Sequence, residues 1–114
     1  MFTPEKTARY ENLVALAAQE VMQGRPPLAG AVELELTIET SPPVSWSKAK
    51  RVAALAGQIR PTVKPDCSNV LKGIEDAMNG IVYVDDAQIV QLSVRKIYSE
   101  TIGAMIVVKA VAHD

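Results

Sequence analysis

The stretch that decides the fold is KPDCSNVLKGIEDAMNGIVYVDDAQI, residues 64–89. Its first half carries apolar side chains at the spacing of one helix face, namely Leu71, Ile74, Ala77 and Met78. This pattern predicts a short helix from about Asn69 to Asn79, with Gly80 as its C-terminal stop. Five acidic residues lie before, within and after the predicted helix: Asp66, Glu75, Asp76, Asp85 and Asp86.

The segments around this stretch predict a small sheet with helices packed on it. Upstream, apolar residues at helical spacing predict a helix that ends near Gly24, and AVELELTIET (31–40) alternates like a half-buried strand. A short helix follows, from Ser45 or Ser47 to Gly57. Downstream, residues 81–99 predict a strand pair or one interrupted strand, and residues 103–111 a final strand. This order indicates one α/β domain over residues 1–114, with a small mixed sheet.

Length and composition exclude several classes of protein. A chain of 114 residues is enough for one domain with one core. No apolar run approaches the length of a membrane span, and the first residues lack the hydrophobic stretch of a signal peptide, so we expect a cytoplasmic protein without a membrane partner. One cysteine and one histidine are too few for a zinc site. Any metal here would be a hard cation held by oxygen atoms.

The positive charges are concentrated in one part of the chain. The net charge is −1, yet residues 45–72 contain a single acid, Asp66. The same window contains six basic residues: Lys48, Lys50, Arg51, Arg60, Lys64 and Lys72. A basic segment beside an acidic cluster can bind a polyanion such as DNA and place a cation against it. The alternative is a solvated surface without a binding role.

The acidic cluster predicts a site for a divalent cation. On a helical wheel, Asn69, Lys72 and Asp76 lie opposite the apolar face. If residues 81–92 pair beside the segment that enters the helix, Asp66 converges with either Asp85 or Asp86, since neighbouring strand residues point to opposite faces. Converging carboxylates repel one another unless a lysine or a metal ion offsets the charge. Mg²⁺ held in this way can promote phosphodiester hydrolysis.

The same residues also have structural interpretations. Asp66 or Ser68 can cap the helix. Lys72 and Asp76 can form an i, i+4 surface pair, and Asp85 and Asp86 can belong to a hairpin turn. Spacing alone does not separate these roles from a metal site.

Residues 64–96 resemble the RusA family of Holliday junction resolvases, which prophages often carry. The matching motif has a proline or basic residue, then Asp-x-Asp-Asn, two residues and a lysine. After three further residues it continues with Asp-Ala-Leu-Asn-Gly and then with Asp-Asp-x-Gln-Val-Val, which leads into a strand. This chain supplies Lys64-Pro65-Asp66, Asn69, Lys72, Asp76 to Gly80 and Asp85 to Val90 in that register. The resemblance extends over about residues 3–110.

The resemblance implies a homodimeric, metal-dependent endonuclease. Such an enzyme uses Mg²⁺ or Mn²⁺ to cut branched DNA, at four-way junctions, by paired nicks in opposing strands. By this resemblance Asp66, Lys72 and Asp86 are catalytic, and Asp85 joins Asp66 and Asp86 as a metal ligand. Supporting roles fall to Ser68, Asn69 and Asp76. We expect DNA contacts from Lys48, Lys50, Arg51, Arg60 and Lys64.

Two departures from the family pattern affect the expected activity. Ser68 occupies the position of the family's second aspartate, and we expect the family's leading strand to be missing before the first helix. An impaired nuclease, a non-catalytic junction-binding relic and a small dimeric protein without a DNA role therefore remain open. We expect Ser68→Asp to restore a metal ligand beside Asp66 on an extended segment and to destabilise the metal-free protein. The first helix and VELELTIET are candidate dimer interfaces.

Overall fold

The structure, a computed structural model, describes residues 5–111, with side chains from residue 11 onward. It contains three helices, one 3₁₀ turn and three strands. In chain order these are α1 (Glu5–Met22), β1 (Val32–Thr40), α2 (Lys48–Leu55), α3 (Cys67–Met78), the 3₁₀ turn (Asp86–Gln88), β2 (Ile89–Tyr98) and β3 (Gly103–Ala110). The expected α/β fold with a small mixed sheet is confirmed. The expected absence of a leading strand concerns residues that lie outside the described part of the chain.

The sheet has β1 in its centre, in the order β2-β1-β3. β1 runs parallel to β2 and antiparallel to β3, so that Leu36 lies between Val94 and Ile106. A parallel pair needs a crossover connection, and residues 41–88, which contain α2 and α3, provide it. This crossover carries the whole motif from Lys64 to Gln88 to one side of the sheet.

One face of β1 forms the centre of the core. Its inward side chains are at most 3% exposed: Val32, Leu34, Leu36 and Ile38. They pack with Ile74 and Met78 of α3 and with Met22 of α1. The other face is polar, where Lys109 Nζ lies 3.7 Å from Glu35 Oε1 and Arg95 Nε donates to Thr37 Oγ1 at 3.1 Å. The alternation of β1 therefore separates a core face from a polar face, as predicted.

The boundaries of the two crossover helices follow their caps. Ser47 caps α2, because its Oγ accepts a hydrogen bond from Lys50 N at 3.2 Å. The helix predicted from Asn69 begins two residues earlier, at Cys67, because Asp66 acts as its N-cap. Both caps use a short oxygen-bearing side chain to satisfy a free N–H of the first helical turn.

For residues 81–99 the sequence predicted a strand pair or one interrupted strand, and neither alternative holds in full. A single strand occupies only the second half of this segment. Residues 80–84 fold back against the end of α3. Gly80 has φ +79°, Gly80 N donates to Tyr83 O at 2.8 Å, and Ile81 N and Val82 N both donate to Met78 O at 3.0 Å. These hydrogen bonds use the backbone groups that strand pairing would need. The strand therefore starts only at Ile89.

Candidate active site

Asp66 lies at the N-terminus of α3, on the surface. Its backbone is extended, with φ −76° and ψ 128°, and its Oδ1 accepts a hydrogen bond from Ser68 N at 2.9 Å. The capping role that the sequence allowed is therefore present. The carboxylate is nevertheless solvent-exposed. Its second oxygen accepts no hydrogen bond from a described residue, so capping leaves it accessible to a ligand.

The exposed face of α3 carries the polar residues of the motif, as the helical wheel predicted. Asn69, Lys72 and Asp76 are exposed, while Ile74 is 0% exposed on the opposite side. Among the described residues, Lys72 and Asp76 do not form the i, i+4 ion pair that was the structural alternative for them. Lys72 is thus available to interact with other charges near α3.

The turn after α3 brings Asp86 close to the helix. Tyr83, which is 0% exposed, donates its hydroxyl proton to Glu75 O at 3.0 Å and so fixes the turn against the last part of α3. Burial raises the pKa of Glu75, and the negative charges of Asp86 and Asp76 raise it further, while Lys72 lowers it. Three carboxylates and one lysine of the motif therefore influence one another electrostatically.

Tyr83 experiences the same acidic surroundings. Its pKa is raised first by burial and then by the charges of Glu75, Asp86, Asp76 and Asp85. A phenol in this environment stays protonated and keeps its role as hydrogen-bond donor to Glu75 O. Sequence reasoning assigned no role to Tyr83 or Glu75, because their importance depends on the fold of the turn.

Asp85 and Asp86 begin a 3₁₀ turn and are not strand residues. Asp85 is its N-cap and Asp86 its first residue. The expectation that strand alternation lets only one of them point toward Asp66 is therefore wrong. The turn forms because the Gln88 side chain binds the backbone around it, and that side chain competes with strand pairing at this point.

Gln88 uses both ends of its side-chain amide to hold this turn. Its Oε1 accepts from Val84 N at 2.8 Å and from Asp85 N at 2.9 Å. Its Nε2 donates to Leu28 O and Gly30 O, both at 2.8 Å. Gln88 therefore connects the Asp85–Asp86 turn to the segment that enters β1. The motif contained Gln88, but the partners of its Nε2 lie about sixty positions away and could not be read from the sequence.

Comparison with known proteins identifies the family of this chain. The family model of endodeoxyribonuclease RusA matches residues 1–109, nearly the whole chain. The chain belongs to the RusA endodeoxyribonuclease family. A Bacillus subtilis (strain 168) protein, described as uncharacterized protein YqaN, is 38% identical over 116 residues, which cover 98% of this chain and 80% of that protein. No solved structure matches the chain.

Ser68, the departure from the RusA motif, is an exposed residue in the first turn of α3. The expectation that it shares an extended segment with Asp66 is wrong, because Asp66 as N-cap starts the helix immediately. Alternation therefore does not place the two side chains on one side. An aspartate at position 68 would add repulsion with Asp66, but the N-terminal end of the helix dipole favours an anion there. This favourable interaction with the helix dipole offsets the loss of stability that we expected for the metal-free Ser68→Asp protein.

The basic residues proposed for DNA contact lie in two groups. Lys48 and Lys50 are exposed on α2, and Arg60 and Lys64 are exposed in the connection to α3. The Nζ of Lys50 lies 4.0 Å from the ring centroid of Trp46, a cation–π contact that leaves its charge at the surface.

Arg51 has structural partners. Its Nη1 donates to Pro42 O at 3.3 Å and to Pro43 O at 3.0 Å, which fixes the loop after β1. Its side chain is half-buried. We therefore expect the other basic residues to contribute more to phosphate binding than Arg51.

The structure groups the acidic residues less tightly than the RusA motif suggests. Within the described residues, no three Asp, Glu, Cys or His side chains lie close enough to form a metal-ligand set. Asp66, Asp85 and Asp86 are therefore not assembled as three ligands of one ion. The side chains of these aspartates offer only oxygen atoms as metal ligands, which suit Mg²⁺ or Mn²⁺.

In the described chain, no helix is long and apolar enough to cross a membrane.

Proposed function

We propose that this protein is a metal-dependent, structure-specific endonuclease that resolves four-way DNA junctions by paired nicks in opposing strands. The observation that carries the proposal is the match to the RusA family over residues 1–109, with Asp66, Lys72 and Asp86 present at the motif positions. The proximity of Asp86 to the charged residues of α3 supports it. The basic residues of α2 and of the following connection supply the positive surface that DNA needs.

Each proposed catalytic residue has a distinct role. Asp66 and Asp86 would hold Mg²⁺, and Asp85 would add negative charge beside Asp86 in the same turn. Mg²⁺ is commonly held by one or two carboxylates, with waters and phosphate oxygens completing its coordination, so two aspartates would suffice as its protein ligands. Such an ion would supply Lewis-acid activation of the phosphodiester and of the attacking water.

The remaining polar residues of α3 act on the substrate and on the carboxylates. Lys72 places a cation where negative charge develops on the phosphate and limits repulsion among the acids around it. Asn69 lies on the same exposed helix face and can donate hydrogen bonds to the DNA backbone. Asp76 adds a negative charge near the C-terminal end of α3, beside Glu75 and Asp86, and so strengthens the attraction of this region for cations.

Ser68 supports a modification of this proposal, in which the chain binds junctions well but cuts them slowly. A serine hydroxyl brings no negative charge to the ion, and one oxygen of Asp66 is engaged by Ser68 N. Both facts reduce the attraction for a divalent ion. The second candidate function, favoured by the same observation, is a junction-binding protein that does not cut.

Paired nicks require two copies of the site related by a two-fold axis, so we propose a homodimer. β1, one of the expected interfaces, is the central strand and cannot extend the sheet by edge pairing. α1 is the better candidate, because Leu13, Leu16 and Val21 are 65%, 58% and 69% exposed. Val21 also lines an apolar groove of about 870 Å³ between α1 and β3.

The proposal is tested with a synthetic four-way junction and a linear duplex of the same sequence. We expect a native gel in EDTA to show preferential binding to the junction, and a denaturing gel to show nicks only after addition of Mg²⁺ or Mn²⁺. Light scattering should give the mass of a dimer. Equal binding to junction and duplex, together with a monomeric mass, would contradict the proposal. Junction binding without nicks at any metal concentration would favour the non-catalytic alternative.

A further inference from the structure

Lys96 lies in an unexpected position for a lysine. It belongs to β2, beside Ile38 of β1, on the sheet face that also carries Leu92 and Val94. Its side chain is only partly exposed. A charged ammonium on this mostly apolar face would be destabilising unless hydrogen-bond acceptors surrounded it.

The acceptors of Lys96 are backbone carbonyls just ahead of Asp66. The Nζ donates to Val63 O and to Pro65 O, the latter at 2.9 Å. Within the described residues Lys96 forms no ion pair, so these two carbonyls are its main partners. They belong to the turn between α2 and α3, which has no strand or helix of its own to fix it. Lys96 therefore attaches that turn to the sheet.

We propose that Lys96 is a positioning residue for Asp66. Its two hydrogen bonds fix the backbone on the N-terminal side of Asp66, and the cap on Ser68 N fixes it on the other side. The carboxylate of Asp66 is thereby held in one orientation at the N-terminus of α3. A metal ligand that is held in place loses less conformational freedom on binding than one on a mobile turn. This inference rests on the proposed function, in which Asp66 binds the ion.

The lysine supplies a combination that few side chains offer. Its aliphatic stem covers part of the sheet face, and its ammonium has three protons for two carbonyls. Lys96→Met keeps most of the stem and removes every donor. Lys96→Arg keeps the charge and the donors. Lys109→Met is the matched control, since Lys109 is a lysine of β3 whose partner, Glu35, lies on the opposite face of the sheet.

The first measurement is amide hydrogen exchange in metal-free protein, which needs no activity. For Lys96→Met we expect exchange of the Ser68 and Val70 amides, which donate to Asp66 Oδ1 and Asp66 O, to accelerate by about tenfold or more, since opening of this turn loses its attachment. Exchange in β1 should change little. Lys96→Arg should restore most of the protection, and Lys109→Met should behave like the parent. A uniform acceleration over the whole chain would show a purely structural role and overturn the inference.

The second measurement compares metal binding with DNA binding. We expect Lys96→Met to weaken Mn²⁺ binding, followed by electron paramagnetic resonance, by about 10-fold, the scale typical of lost support for a metal ligand. Junction binding in EDTA should stay within about twofold, since the ammonium of Lys96 is engaged by Val63 O and Pro65 O. Unchanged exchange at Ser68, or unchanged Mn²⁺ affinity in a protein that binds Mn²⁺, would overturn the inference.

The two proposals fail in different ways. If the parent neither binds Mn²⁺ nor cuts the junction, the proposed function fails, while the exchange data still decide whether Lys96 holds Asp66 in place. If Lys96→Met does not fold, Lys96→Gln, which keeps two amide protons, replaces it in both measurements. We then expect an intermediate loss of protection at Ser68, and protection equal to that of the parent would count against the role of Lys96.

Discussion

Replacing Gln88 by glutamate should test how the Asp85–Asp86 turn is held. The two side chains have nearly the same shape, but glutamate presents an oxygen where Gln88 Nε2 donates to Leu28 O and Gly30 O. Two hydrogen bonds are lost, each worth about 1 kcal/mol, and a carboxylate oxygen then faces two carbonyl oxygens. Because Gln88 is partly exposed, water relieves some of this repulsion. We expect a total loss of about 2–3 kcal/mol at pH 7.

This loss should depend on pH in a defined direction. Carbonyl oxygens around a glutamate favour its protonated form and raise its pKa above the ordinary value. The destabilisation should therefore shrink as the pH falls through this raised pKa, because the protonated acid can again donate to one carbonyl. Urea denaturation followed by circular dichroism at pH 7 and pH 4 measures both effects. At pH 7 the melting temperature should fall by roughly 8 °C.

Gln58→Glu provides the control, because Gln58 is exposed and its side chain forms no hydrogen bond within the described residues. It makes the same chemical change outside the turn and should cost less than about 0.5 kcal/mol. If Gln88→Glu and Gln58→Glu have equal stability at pH 7, the hydrogen bonds of Gln88 do not hold the turn. The reasoning about Asp86 would then lose its structural basis.

Three further predictions concern the acidic end of α3 and its start. Tyr83→Phe should lower the free energy of unfolding by about 1 kcal/mol, since Glu75 O loses a hydrogen-bond donor. Tyr98→Phe is the control and should change the free energy of unfolding little, because the Tyr98 hydroxyl bonds to no described residue. Thermal denaturation measures both variants. Glu75→Gln should stabilise metal-free protein by a few tenths of a kcal/mol at pH 7. Because the pKa of Glu75 is raised in the folded state, its contribution to stability is full below the unfolded pKa and is lost as the pH rises through the folded pKa. Glutamine removes this loss at pH 7 but not at pH 3.5, where Glu75 is protonated, so a gain that persists at pH 3.5 would refute the reasoning. Ser68→Asp should lower the Mg²⁺ concentration for half-maximal junction cutting, because a negative charge in the first turn of α3, two residues from Asp66, attracts the cation, while Ser68→Asn, without the charge, should not; equal Mg²⁺ dependence of the two variants would refute this.

The sequence was sufficient for the fold class and for the faces of its elements. Alternation placed Leu34 and Leu36 in the core, and helical spacing placed Ile74 in the core and Lys72 on the surface. These patterns are local and repeat within each element, so the sequence records them directly. The start of α2 was predicted at Ser45 or Ser47, and in the structure Ser47 is the N-cap.

The details of the site depend on contacts between distant parts of the chain. The 3₁₀ turn at Asp86 is held because Gln88 donates to Leu28 O and Gly30 O, and the turn before Asp66 is attached to Lys96 of β2. No local pattern records such partners. A weak signal was present for Lys96, because a charged residue at an inward position of β2 needs a specific partner. The strand geometry assumed for Asp85 and Asp86 failed for the same reason.

The central claim, that Asp66 and Asp86 support junction cutting, is tested most directly by strand-resolved cleavage of a four-way junction. Each strand is labelled in turn, and the parent, Asp66→Asn and Asp86→Asn are compared at saturating Mg²⁺ and matched DNA occupancy. We expect the parent to place nicks in two opposing strands and each variant to cut at least about 100-fold more slowly with unchanged junction binding, since a bound metal supplies several kcal/mol. Nicks at the same positions and rates in both variants would contradict the account.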